Sequence, residues 1–226
     1  MRADVRDGLR LLWHQPVLRA LSVLTAGFNF ASAGVVAVLV LYAVGPDSAL
    51  GLSASGYGLL LTASAAGSLL GSFVAAPAQE RIGRTRTLAL GMVASVLFLG
   101  GPALTTEPLA VGVAAAVGGA GIALVNVVAV TLRQQVTPDA KLGRVIGAHR
   151  LLAWGTKPLG AAAGGVLAEL LGLRAVFVVM AALVLALLVL LRALSERALH
   201  AAEGGGPGTP PGVQMHVQTH EEGPSE

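Results

Sequence analysis

Glu80-Arg81-Ile82-Gly83-Arg84-Thr85-Arg86 stands between two long apolar runs, 56–78 and 87–105. Each run is long enough to cross the roughly 30 Å hydrocarbon core of a bilayer as a helix. A charged link this short forces the chain to leave the membrane and re-enter on the same side. Working outward, four more runs of similar character occupy 18–44, 108–132, 145–168 and 174–192. The gaps between them carry turn chemistry: Gly45-Pro46-Asp47, Thr105–Pro108, Thr137-Pro138-Asp139 and Gly172-Leu173-Arg174. The expectation is an all-α polytopic membrane protein with six transmembrane helices.

Composition supports the lipid environment. Hydrophobic residues make up 54% of the 226 and charged residues only 12%, about half the charge of a soluble domain. Mean hydropathy is +0.75. One soluble core of this length does not bury so much apolar surface. The 30 glycines and the 4% of aromatics suit helices that pack on one another through small residues. With no cysteine, disulfides, thiolate–metal sites and thiol catalysis are excluded.

The basic residues fix orientation. Arg2, Arg6, Arg10 and Arg19 precede or open the first run, Arg81, Arg84 and Arg86 follow the second, Arg133, Lys141 and Arg144 follow the fourth, and Arg192 and Arg197 follow the sixth. Six crossings place these twelve on one face of the membrane and only Arg174 on the other. Basic loops stay in the cytoplasm, so both termini are expected there, in a multi-pass protein of the plasma membrane. The net charge of +3 then reflects membrane orientation, and no nucleic-acid partner is implied.

Three segments follow. Residues 1–17 form a cytoplasmic amphipathic connector, with Val5, Leu9, Leu12 and Trp13 at helical spacing and Pro16 interrupting before the first span. Residues 18–194 form the six-helix bundle. Residues 195–226, rich in Gly and Pro, lack core-building residues and read as a disordered cytoplasmic tail. His216 and His220 lie four apart in that tail, where no helix presents them together, so no metal and no cofactor is expected.

Several passages together resemble the major facilitator superfamily of transporters. Glu80 through Arg86 is similar to the acidic-Arg-x-Gly-Arg signature found between the second and third spans of each half. Val5-Arg6-Asp7-Gly8-Leu9-Arg10 with Pro16 through Leu21 resembles the central connector leading into the seventh helix. Gly143-Arg144-Val145 through Lys157-Pro158-Leu159-Gly160 and Gly164-Gly165 resembles the eleventh helix of the exporter branch that includes enterobactin and macrolide efflux proteins. The glycine usual four residues before the signature's acid is here Ala76, as in degenerate second copies. The resemblance covers about residues 4–195. It implies one half-bundle of a major facilitator fold, the C-terminal half. It also implies a partner: an N-terminal six-helix half, or a second copy in a homodimer, enclosing the substrate between two bundles.

Candidate site residues come from polarity inside the runs. Arg150, Trp154 and Lys157 fall at i, i+4 and i+7 on one helical face. Lys157 lies near mid-span, where an ammonium costs about 2.5–3.5 kcal/mol unless it faces a cavity or partner. Arg150 is close enough to the cytoplasmic end to snorkel instead. Asn29 and Asn126 either hydrogen-bond between helices or face substrate. The resemblance implies that Glu80, Arg81, Gly83, Arg84 and Arg86 form a gate latch; the plainer reading is that the arginines only set orientation.

The leading function implied is transport: the C-terminal half of a proton-driven efflux transporter for a small organic molecule such as a drug, antibiotic or siderophore. The cationic stripe points to an anionic or zwitterionic compound. No Asp or Glu lies well inside a run, so a coupling carboxylate belongs in the other half. The alternative is a non-transporting membrane scaffold or assembly subunit from a truncated product. An enzyme is not expected: Gly51-Leu52-Ser53-Ala54 with His149 matches an intramembrane serine protease only loosely, since Ser53 lies in a loop.

Overall fold

The structure is a computed structural model that describes residues 10, 12–137 and 139–189. Most of the connector and all of the tail, including His216 and His220, lie outside the described residues. A helical turn at 12–14 leads into six long helices: α1 (Pro16–Ala43), α2 (Ala54–Ile82), α3 (Arg84–Leu104), α4 (Pro108–Gln135), α5 (Asp139–Leu171) and α6 (Leu173–Leu187).

Local chemistry sets the boundaries. The leading helical turn breaks at Gln15, and Pro16 opens α1 at a position where its missing N–H is no loss. The Gln15 side chain caps it, accepting from the Leu18 amide at 2.6 Å. Ser53 caps α2 in the same way, accepting from the Gly56 amide at 3.1 Å. Pro108 opens α4. The stretch Arg81–Arg86, read as a gap, is almost wholly helical: only Gly83 separates α2 from α3. Its φ of 83° is a value that a side chain makes costly, so glycine is required for this joint. The fourth-to-fifth loop is also shorter than expected. Arg133 belongs to α4, and Lys141 and Arg144 belong to α5.

Four helices, α1 to α4, are long and apolar enough to cross a membrane. The fifth and sixth expected spans differ. α5 has 33 residues, about 50 Å at 1.5 Å per residue, but it carries Arg144, Arg150, Lys157 and Glu169 and falls short in hydropathy. α6 is strongly apolar, with 15 residues within the described range.

The packing has an internal regularity. α2 lies along α4, as α1 lies along α5; α3 packs on α4, as α6 packs on α1; and α3 meets α6. Exchanging the first three helices for the last three interchanges the members of the first two sets and maps the α3–α6 pair onto itself. The seams are made by small residues, as expected where lipid supplies no hydrophobic drive. Gly160 lies against the Phe30 backbone and Gly164 against Gly34, bringing α5 and α1 to backbone contact. Hydroxyls cross the same seams: Thr156 donates to the Ala26 carbonyl at 3.0 Å, and Ser68 donates to the Gly119 carbonyl at 2.9 Å between α2 and α4.

Phe177 and Met180 of α6, Leu99 and Met92 of α3, and Val35 and Tyr42 of α1 build the central core. The Tyr42 ring meets Phe177 edge-on, with centroids 4.8 Å apart, and its hydroxyl donates to the Pro102 carbonyl at 2.7 Å. Arg174 donates from Nε to the Ala103 carbonyl at 2.8 Å, placing a cation at the C-terminus of α3, where the helix dipole favours it. The outer surface is apolar in turn: Leu59, Leu70 and Phe73 on α2 and Leu104 and Leu109 nearby are each at least 65% exposed. Large apolar side chains exposed in this way suit contact with lipid or another protein better than contact with water.

Candidate functional site

Among the described residues, the helix seams leave a polar opening. α1 and α5 are locked together by glycines, and α4 is held by α2 and α3. α1 and α4 touch only slightly, so a gap opens between α4 and the α1–α5 pair. This cleft has a volume of about 310 Å³. Thr25 and Asn29 line it from α1; Asn126, Ala129, Val130 and Arg133 from α4; His149, Arg150, Ala153, Trp154 and Lys157 from α5. Two other grooves, one of α1, α5 and α6 and one of α2 and α4, are lined almost wholly by apolar side chains and glycine.

All five residues selected from sequence polarity are brought to this cleft. Arg150, Trp154 and Lys157 share a face of α5, and Asn29 and Asn126 approach it from two other helices. Lys157, Arg150, Trp154 and Asn126 are exposed, and Asn29 is half-buried. The Lys157 ammonium lies 5.6 Å from the centroid of the Trp154 ring, within cation–π range and worth about 0.5–1 kcal/mol at an exposed site. Pro158 follows inside the helix, removing one backbone donor next to the charge.

Among the lining residues not selected from sequence, two are ionisable. His149 is 5% exposed, and its Nδ1 is hydrogen-bonded to Ser22 Oγ at 3.2 Å, across the inner part of the α1–α5 seam. The pattern of basic residues in the sequence places Arg133 among the orienting loop charges. It is instead only 8% exposed, and its Nε has no hydrogen-bond partner among the described residues. An unpartnered buried donor costs about 1–3 kcal/mol, more when charged. Its spacing was the available signal: Asn126 and Arg133 are seven apart on α4, two turns along one face.

The electrostatics follow from this set. Arg133, Arg150 and Lys157 bring three cations to one cleft, and none of the carboxylates among the described residues lines it. A concavity lined by one sign of charge concentrates ions of the opposite sign. The polar amides of Asn29 and Asn126 add donors and acceptors without adding charge.

Glu80, Arg81 and Arg86 are exposed where α2 and α3 meet, away from the cleft lining. Gly83 accepts from both the Thr87 amide at 3.1 Å and the Thr87 hydroxyl at 2.8 Å, which makes the joint compact. Ser53 and His149, the pair an intramembrane protease needs together, each bond elsewhere: Ser53 caps α2, and His149 bonds to Ser22.

The model of the Major Facilitator Superfamily matches residues 19–216. No curated protein matches the chain.

Proposed function

The chain belongs to the major facilitator superfamily, and from that premise we propose that it is the C-terminal half of a proton-driven exporter of a small organic molecule. Membrane transport is the general function of the family. The observation that carries the finer reading is the cleft of α1, α4 and α5: a polar, cationic concavity in an otherwise apolar bundle, with Lys157 and Trp154 exposed at its edge. A charge left exposed at mid-bilayer is costly. An opposing bundle that closes the cleft into a water-filled path relieves that cost.

On this reading the chain crosses the plasma membrane six times with both termini in the cytoplasm, the orientation favoured by the strong bias of basic residues toward one face. α5 crosses despite its mid-helix charges because Arg150 and Lys157 face the path. The opposing bundle is an N-terminal six-helix half or a second copy of this chain. Alternating access needs two bundles rocking about a shared site. The coupling carboxylate belongs to an N-terminal half, since no carboxylate among the described residues reaches the cleft and a second copy would bring the same lining. The Arg81–Arg86 joint, hinged at Gly83, serves as a cytoplasmic latch.

The test is reconstitution. The purified chain, shown to be monomeric, is placed in liposomes and assayed for flux of candidate organic compounds, and the assay is repeated with a six-helix N-terminal half co-expressed. We expect flux only from the two-bundle assembly. Robust flux from the monomer overturns the half-transporter reading.

A further inference from the structure

Arg133 is out of place for an orienting charge. Such residues lie at the surface, where water solvates them, and their burial is avoided unless they are paired. Arg133 is buried in the last turns of α4, borders the cleft, and its Nε lacks a partner. Its backbone is held in place, since the Thr137 hydroxyl donates to its carbonyl at 2.7 Å. The helix backbone at this position is therefore held, and the Nε donor is left unsatisfied. Arg150 and Lys157 border the same cleft from α5, and Asn29 and Asn126 supply neutral hydrogen-bonding groups from α1 and α4.

We propose that this cleft is an oxyanion-binding site, with Arg133 as its anchor and a carboxylate- or phosphate-bearing compound as its ligand. A guanidinium presents a planar fork of donors that matches a carboxylate or phosphate with two parallel hydrogen bonds. An anion seated there satisfies the Nε donor, and Arg150 and Lys157 complement the rest of its charge. An aromatic body on the ligand has the Trp154 face beside it. The proposal rests on the transport reading for its purpose but not for its chemistry. The shared oxyanion chemistry is that of a soluble organic anion or of an anionic lipid headgroup.

The chain contains two tryptophans, and only Trp154 borders the cleft. Trp13→Phe leaves Trp154 as the single reporter. The full chain with this change is placed in phosphatidylcholine nanodiscs, and Trp154 is quenched with iodide and, separately, with caesium. We expect iodide to quench at least fivefold more efficiently than caesium; equal quenching contradicts a cationic cleft without recourse to further variants. Benzoate and inorganic phosphate are then titrated at constant ionic strength. We expect at least one to protect Trp154 from iodide saturably, with neutral benzamide inactive.

Arg133→Gln should weaken that protection at least tenfold, and Arg133→Lys should weaken it less. Circular dichroism melting establishes that each variant is folded. Protection by benzamide equal to that by benzoate, no saturable protection by either anion, or unchanged affinity in folded Arg133→Gln overturns the proposal. Repeating the titration in phosphatidylglycerol discs identifies the source. Competition by the lipid assigns the oxyanion to a headgroup, whereas unchanged affinity assigns it to a soluble anion; both uphold the site. Anion binding without flux in the two-bundle assembly defeats the transport reading alone, and flux without anion binding defeats this inference alone.

Discussion

Gly160→Val is expected to unlock α5 from α1. A Cβ at position 160 would overlap the Phe30 carbonyl oxygen and lie 2.7 Å from its carbon and 2.8 Å from the Phe30 Cα. All three are backbone atoms of a helix, so no rotamer change relieves the clash and the helices must separate. Overpacking of this kind costs about 1–3 kcal/mol. Separation also stretches the Thr156–Ala26 and Ser22–His149 hydrogen bonds, 3.0 and 3.2 Å long. Interhelical hydrogen bonds in membranes average about 0.6 kcal/mol each. The total is about 2–4 kcal/mol, a change of roughly 30- to 900-fold in the folding equilibrium. The assay is unfolding by sodium dodecyl sulfate in mixed micelles, followed by circular dichroism. Gly165→Ala, on the same helix with nothing within 4 Å of an added Cβ, is the control. It should be neutral or up to about 1 kcal/mol more stable, since alanine outranks glycine in a helix. The packing argument is refuted if Gly160→Val unfolds within about 0.5 kcal/mol of the unaltered protein, or if the two variants shift alike.

Three further outcomes are expected. Tyr42→Phe removes the buried 2.7 Å bond to the Pro102 carbonyl but keeps the edge contact with Phe177; the same unfolding assay should register a loss of about 0.5–1.5 kcal/mol. Lys157→Leu removes a mid-span charge, so membrane abundance should hold or rise while efflux by the two-bundle assembly is lost, with Lys157→Arg restoring at most part of it; normal efflux from Lys157→Leu would remove that residue from the path. Alkaline phosphatase fused after Leu194 should be inactive, because on the proposed topology a sixth crossing returns the chain to the cytoplasm; high activity there would sink the topology.

The helical architecture was legible because lipid imposes it locally. Runs such as 56–78 and 108–132 carry their own length and hydropathy, and they became α2 and α4 with ends shifted by a few residues. What sequence hid was charge inside helices. Arg81–Arg86 looked like a loop because its arginines mask a helical backbone broken only at Gly83, and Lys141 and Arg144 looked like loop residues because α5 continues well beyond its apolar part. The cleft was legible in one dimension. Arg150, Trp154 and Lys157 share a face by spacing alone, but their meeting with Asn29 and Asn126 depends on how α1, α4 and α5 cross. Arg133 was missed for that reason: its burial is created by neighbouring helices distant in sequence, while its position at the end of an apolar run is that of an ordinary orienting charge.

The absence of cysteine permits a direct probe of whether the α1–α4–α5 cleft is one wall of a transport path. Asn126→Cys places a thiol in the cleft, and Leu70→Cys places one on the exposed apolar face of α2. Each is treated with a membrane-impermeant maleimide in vesicles that carry the two-bundle assembly, and labelling and substrate flux are measured on the same sample. We expect rapid labelling of Asn126→Cys with flux falling in proportion, and little labelling or loss at Leu70→Cys. Labelling of Asn126→Cys no faster than that of Leu70→Cys, or full labelling with flux unchanged, contradicts the assignment of this cleft to the path.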